Sequence, residues 1–380
     1  MNPKKDVSPD KTKRLMIPKI TSPGRSPFLT EIISHVVPRP LWHRIENFPA
    51  IVGLRLSASH LWGELAGIEN KNKTLDGGTL RKCREYSTDV FGSPRYAFEL
   101  ARYCAIHGSW RDGWLPETYF QNEIIRKSIG VPTISRQKTL SAYFIRHASL
   151  PDIGYYVNGK YFLRDWKKIE FEQLKQIIFE TQDKVVFKIN RSMRGRGVFI
   201  LGPNDLNHTA IRNLGDGCFQ EFIQPHPTVP RFGVPSVPTV RLVTTLNAAG
   251  DPTARFAYLR LGRLKHSHVI SDDSVKVLLC LKTGKLQSIG FLTDWRPVLA
   301  HPDTGINFDG VRFPRITDAI SLCLDLHCQM PSFLSIGWDL CLDDGGEFKI
   351  MEWNQLHDIK FAEAVNGPNF SDLSLEERKK

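Results

Sequence analysis

Apolar residues recur at helical spacing through the first third of the chain and at alternate positions through much of the rest. "RYAFELARYCAIHG", Arg95 to Gly108, gathers its apolar side chains on one face and closes on glycine, as a capped helix does. Residues 27 to about 134 read mainly as helices, broken by "VVPRP", "LDGG" and "GSPR". From about 135 the texture changes to short β-rich runs. "YYVNGKYFL" carries Asn158-Gly159, a hairpin signal. "KKIEFEQLKQIIFET" predicts an amphipathic helix. "KVVFKI" and "GVFIL" predict strands around a Gly/Arg loop, and "CFQEFI", "TVRLVTTLN" and "ARFAYLRLG" predict three more. "RITDAISLCLDLHCQM" predicts a helix that leads into "LSIGWDLCLDDGGEFKIMEWNQ".

That last segment reads as a hairpin: strand 335–342, a turn within Asp343 to Gly346, and strand 347–354. Side chains alternate along a strand. An even turn of two or four residues puts Asp339 and Glu352 on one face with Asn354, and Trp338, Leu340, Met351 and Trp353 on the other; an odd turn separates the acids. Two carboxylates and an amide oxygen so close repel, and one acid stays protonated, unless a cation lies between them. Hard oxygen donors of this kind suit Mg²⁺. The plain alternative is a surface hairpin with solvated acids.

The loop "NRSMRGRG" carries Arg191, Arg194, Gly195, Arg196 and Gly197, just after Lys188 at the end of its strand. Glycines let backbone N–H groups approach a phosphate and the basic side chains favour its charge. It is not a P-loop, since Gly-Lys-Ser/Thr is missing, and no G-x-G-x-x-G opens a helix. Alone it is a weak signal, since a basic glycine loop is more often a solvated turn. "CFQEFI" then runs into Gln220, Glu221, Phe222 and Ile223, which offer hydrogen bonds beside an apolar wall suited to a flat heteroaromatic ring, or simply a buried strand end.

Composition adds bounds. The 380 residues allow two or three domains and a sizeable core. The net charge of +11 points to an anionic partner without naming it, and part of the excess lies in the N-terminal tail, at Lys4, Lys5, Lys11, Lys13, Arg14 and Lys19. The seven cysteines have no Cys-x-x-Cys pair and read as buried free thiols in a reducing compartment, and the twelve histidines match no common zinc spacing. No apolar run approaches 18 residues and no signal peptide is evident, so a cytoplasmic location is expected by default.

Taken in order over roughly 135 to 365, these motifs resemble the ATP-grasp superfamily of carboxylate–amine ligases. "PTVRLVT", "YLRLGR" and "SIGWDLCLDDGGEFKIMEWN" look most like its sugar-transfer-associated family, often encoded near polysaccharide biosynthesis. The resemblance implies an α+β fold of two subdomains gripping ATP, with a mainly helical N-terminal region. It divides the chain into a flexible basic tail (1–26), a helical region (27–134), the ATP-grasp domain (135–366) and a charged C-terminal tail (367–380). It implies that Lys138 and Lys188 contact nucleotide phosphates and that the loop Arg191 to Gly197 closes over the triphosphate. Gln220, Glu221, Phe222 and Ile223 form the adenine hinge. Arg241 contacts the terminal phosphates and Arg260 the acyl phosphate. Asp339, Glu352 and Asn354 hold Mg²⁺, with Mn²⁺ as the alternative ion. Glu221 or His226 is the candidate for ribose. Two departures stand out: Ile189 follows Lys188 where the family has Pro, and "LKHSHVISDDSVKV" lacks the glycines usual after "LRLG".

The activity implied is ATP-dependent joining of a carboxylate to an amine, less readily a hydroxyl, through an acyl phosphate. The rivals are a phosphotransferase using the same ATP site, a non-catalytic binding protein of the same fold, and a nucleic-acid binder. The last lacks an evident recognition module. The oligomeric state, the carboxylate and the acceptor are not readable.

Overall fold

The computed structural model describes residues 74–126, 134–192 and 194–373. The expected basic tail, residues 27–73 of the expected helical region and residues 374–380 lie outside the described residues.

Two helices open the described chain. α1 (Gly77–Phe91) starts on Asp76, whose carboxylate accepts from the Thr79 N–H at 2.8 Å, and stops at Gly92 in the left-handed region. α2 (Ala97–His107) stops on Gly108, again left-handed.

A six-stranded antiparallel sheet follows: β1 (Asp152–Val157), β2 (Lys160–Leu163), β3 (Lys168–Ile169), β4 (Val185–Ile189), β5 (Val198–Leu201) and β6 (Gly217–Glu221), in the order β3-β2-β1-β6-β4-β5. Asn158 and Gly159 both take positive φ, as the two-residue β1–β2 turn requires. Helices α3 (Phe171–Glu180) and α4 (His208–Leu214) cover one face, where Leu174, Ile178, Phe187, Ile211 and Phe219 make a core. The register puts Val186, Lys188, Val198, Ile200, Cys218 and Gln220 on the other face.

The second sheet has seven strands: β7 (Thr239–Leu246), β8 (Pro252–Leu261), β9 (Val275–Leu279), β10 (Gly290–Phe291), β11 (Pro297–Val298), β12 (Ser335–Leu342) and β13 (Phe348–Asn354), in the order β11-β10-β9-β8-β7-β12-β13. Leu242, Leu259, Val277, Trp338, Leu340 and Trp353 face α5 (Ile316–Cys328) in the largest apolar cluster. Each such fully buried side chain contributes about 1.5–3 kcal/mol. The opposite face is divided. At one end Val243, Phe256, Tyr258 and Leu278 join the aromatic cluster built by α1 and α2; at the other the side chains are charged.

The first helical layer is tied to the end of the described chain. Glu363 on α6 (Lys360–Asn366) is fully buried; its carboxylate accepts from the Leu115 N–H at 2.9 Å and the Asn369 N–H at 2.6 Å, and its carbonyl accepts from Trp114 Nε1 at 2.7 Å. Burial pushes the Glu363 carboxyl up to about 8, against those hydrogen bonds. Phe370, within the expected charged tail, is also fully buried in this cluster.

The hairpin corrects two expectations. Leu342 pairs with Phe348, and the Gly346 N–H bonds the Asp343 carbonyl at 3.0 Å, so the turn is odd. Left alone it would part Asp339 from Glu352. A bulge restores the pair: Leu340 faces Ile350 but Asp339 faces Glu352, and Met351 is the extra residue. Met351 therefore leaves the apolar face of Trp338, Leu340 and Trp353 and lines the cavity instead. Its carbonyl, freed from the ladder, accepts from Lys188 Nζ at 2.8 Å.

Candidate active site

A cavity of about 400 Å³ opens between the charged face of the second sheet and the inner face of the first. Strand register decides what lines it. Arg241 lies opposite Tyr258 on one side and Asp339 on the other, Arg260 lies between Thr239 and Lys276, and Glu352 follows beside Asp339. Partners across antiparallel strands share a face, so five charged residues from five strands converge: Arg241, Arg260, Lys276, Asp339 and Glu352.

Asp339 is 5% exposed and Arg241 8%. Arg241 Nε and Nη2 each donate to an Asp339 oxygen at 2.7 Å, a bidentate fork. Arg260 Nη1 adds contacts at 3.2 and 3.3 Å, and Asn354 Nδ2 approaches Asp339 Oδ2 at 3.4 Å. Burial raises the Asp339 carboxyl, but Arg241 and Arg260 outweigh it and hold the group ionised, at about 2. Burial works against the Arg241 charge, and Asp339 more than restores it. Glu352 is ion-paired with Lys138, the first residue of a short helical turn, Lys138–Leu140. Each acid is thus paired with cationic side chains, Asp339 with Arg241 and Arg260 and Glu352 with Lys138.

Lys188, 7% exposed, faces the same space from the first sheet. Burial pulls its ammonium down, opposed chiefly by Glu352. Val186, Ile200, Ile223 and Met351 form an apolar slot beside it. Of the expected hinge, Gln220 is buried and donates to Asp152 Oδ1 at 2.7 Å, while Glu221 turns to Lys349 at 3.4 Å. The Phe222 ring lies under Lys184, and its N–H bonds Gln182 Oε1 at 3.1 Å. His226 bonds Thr228 and is not among the cavity-lining residues.

The Gly/Arg loop lies against the stretch that departs from the family pattern. Arg194 and Arg196 both pair with Asp272, at 3.1 and 2.9 Å. His268 Nε2 meets the Gly195 carbonyl at 2.9 Å, and the Ser271 N–H bonds the Arg194 carbonyl at 3.2 Å. A Cβ on Gly197 would stand 2.2 Å from Ser192 Cβ, so only glycine lets this loop fold back on itself. Arg191 takes positive φ, and its N–H bonds the Arg136 carbonyl at 2.7 Å, away from the Asp272 latch. Ion pairs replace the missing glycines in shaping the facing segment: Asp273 binds Arg263, Lys265 and His266.

Sequence reasoning missed a further group on this cavity: Glu117, Gln121, Lys276, His357, Asp358 and Lys360. Lys276 was legible, because Val275 and Val277 alternate with it into the core. Glu117 and Gln121 come from the N-terminal helical layer, where nothing local marks them.

Two antiparallel sheets thus close on a charged cavity, with the Gly/Arg loop at its wall. Residues 213–377 match the model of the family described as sugar-transfer associated ATP-grasp. No curated protein sequence matches the chain. Similar solved structures include the ADP complex of purK, an N5-carboxyaminoimidazole ribonucleotide synthetase (13% identity, 59% of this chain and 46% of that one, TM-score 0.37). Another is the ATP-grasp ligase PsnB with its minimal precursor (12%, 80% and 77%, 0.38). A third is D-alanine–D-alanine ligase from Bacillus anthracis (14%, 65% and 69%, 0.34). The chain spans less than half the length of the purK structure. Among the described residues no helix is long and apolar enough to cross a membrane.

Proposed function

We propose that the chain is an ATP-dependent ligase that activates a carboxylate as an acyl phosphate and transfers it to an amine, in the setting of polysaccharide or cell-surface synthesis that the family resemblance suggests. The observation that carries this is the convergence of Lys138, Lys188, Arg241 and Arg260 on Asp339 and Glu352 beside an apolar slot. The slot bounded by Val186, Ile200, Ile223 and Met351 suits adenine. The lysines and arginines suit a triphosphate, and the Gly/Arg loop suits a cover that keeps water from a reactive intermediate. Asp339, Glu352 and the Asn354 amide oxygen are hard oxygen donors that fit Mg²⁺ or Mn²⁺ and would hold it; the ion supplies neutralisation of phosphate charge.

The chain's own groups then have definite tasks. Arg241 and Arg260, fixed in the sheet, neutralise the charge on the transferred phosphoryl group as a substrate carboxylate oxygen attacks it. Lys188, held by the Met351 carbonyl, positions the phosphate chain. The carboxylate takes the γ-phosphoryl group and ADP leaves. The test is phosphate release from Mg-ATP with pooled carboxylates and amines. A ligase releases phosphate only when both are present. Transfer of phosphate to a hydroxyl with no free phosphate would instead identify a phosphotransferase, and turnover with neither substrate would sink the proposal.

A further inference from the structure

We propose that a second cavity, at the end of β8 and β9 away from Arg260 and Lys276, binds a small amphipathic carboxylate, with the carboxylate group in the side-on fork of Arg255. The proposal stands apart from the ligase reading. The cavity measures about 690 Å³ and is lined by Arg255 on β8, by Leu278 and Leu279 on β9, by Cys280 and Lys285 in the turn that follows, and by Asn366 on α6. Five residues of β8 separate Arg255 from Arg260, about 16 Å at the usual strand rise, and the two cavities share no lining residue.

Local structure sets Arg255 apart. Ala254 packs toward α5 and Phe256 toward the aromatic cluster of α1 and α2, although residues two apart on a regular strand share a face. The register explains this: Thr244 faces Ala254 but Val243 faces Phe256, so Arg255 is the extra residue of a bulge, a feature that re-aims a side chain. The side chain is 12% exposed. Its Cζ lies 5.8 Å from the centroid of the Phe370 ring, and Nη1 donates to Asp372 Oδ1 at 2.9 Å. Nε and Nη2 form the edge that in Arg241 grips Asp339. In Arg255 both atoms are buried and have no hydrogen-bond partner among the described residues. Two N–H groups of a charged side chain are costly to bury unmet. Their parallel geometry matches the two oxygens of a carboxylate.

Charge and the walls narrow the class. Arg255 pairs with Asp372 and Lys285 with Asp309, but those acids are 56% and 72% exposed and water screens them. The buried charge is the guanidinium. One negative charge balances it, which favours a monocarboxylate over a phosphate dianion. Phe256, Leu278, Leu281, Leu286 and Ile289 make the walls apolar, so the ligand carries an alkyl or aryl body.

The full chain carries its own reporter. Cys280 on the cavity wall and Cys328 at the end of α5 are exposed, and the other five cysteines are buried. Iodoacetamide labelling, read by peptide mass spectrometry, should slow at Cys280 and not at Cys328 when 3-phenylpropionate or octanoate is added. The matched alcohol 3-phenylpropanol, and inorganic phosphate, should each protect Cys280 about tenfold less well. Arg255→Gln should raise the protecting carboxylate concentration about tenfold. Gln287→Glu, at an exposed position on the same wall, keeps Arg255 and Asp372 in place and should raise it several-fold, so the test survives if the first variant fails to fold. No protection by either carboxylate up to about 10 mM, equal protection by the alcohol or by phosphate, or unchanged protection in the folded variants overturns the site. No arm of the test uses ATP turnover, so its result holds whether or not the chain is a ligase.

Discussion

Replacing Asp339 by Asn should cost the fold far more than replacing Glu352 by Gln, although both remove one acid from the same site. Asp339 and Arg241 are each less than a tenth exposed and meet in a bidentate fork at 2.7 Å. Two unit charges about 4 Å apart interact by roughly 4 kcal/mol at an effective dielectric of about 20. Breaking a buried pair from one side costs about 3–5 kcal/mol, because the partner charge stays buried. Glu352 is 31% exposed, water screens its pairing with Lys138, and Glu352→Gln should cost about 1 kcal/mol. Urea unfolding reads this directly, since Trp338 and Trp353 are buried in β12 and β13 beside the pair. The Asp339→Asn midpoint should fall by roughly 1–1.7 M, given a slope of about 3 kcal/mol/M. Adding Arg241→Gln should recover part of the loss, the mark of direct coupling. Equal losses for the two acids, or full additivity with Arg241→Gln, would refute the reasoning. ATP turnover should be lost in both single variants.

Lys188→Ala should weaken nucleotide binding about a hundredfold in a calorimetric titration, because it removes a buried ammonium from the wall of the proposed phosphate site. Gly197→Ala should weaken it about tenfold with little effect on unfolding, since the methyl group collides only with Ser192 in the loop. Asp272→Asn should change stability by less than about 1 kcal/mol, its pairs being exposed, yet speed tryptic cleavage after Arg194 and Arg196; an unchanged cleavage rate would deny the latch. Glu363 carries a pH dependence. Its folded value near 8 lies above the ordinary 4.5, so its contribution is complete below about pH 4.5, declines as pH rises and is gone above about 8. The change is on the order of 5 kcal/mol, and Glu363→Gln should flatten that part of the stability profile.

Alternation along the strands made much of the site legible. Asp339, Glu352 and Asn354 could be placed on one side of a hairpin because Trp338, Leu340 and Trp353 had to be on the other. The turn and the bulge were not legible. The bulge at Met351 frees a carbonyl that meets Lys188, and no pattern within the hairpin encodes a partner in another sheet. The fork between Arg241 and Asp339 depends on which strands are neighbours, which local periodicity does not fix. Lys276 could have been read from Val275 and Val277 on either side of it. Glu117 could not, because its meaning comes from Asp358 and Lys360, brought to it only by the docking of the helical layer.

The bond from Trp114 to Glu363, and the burial of Phe361 and Phe370 against α1 and α2, join segments made early and late in translation. While the chain is being synthesised, the helices emerge with an aromatic surface that nothing yet covers. That surface stays open until the residues around Phe370 leave the ribosome, so a nascent chain stalled before that point is a natural client for a chaperone.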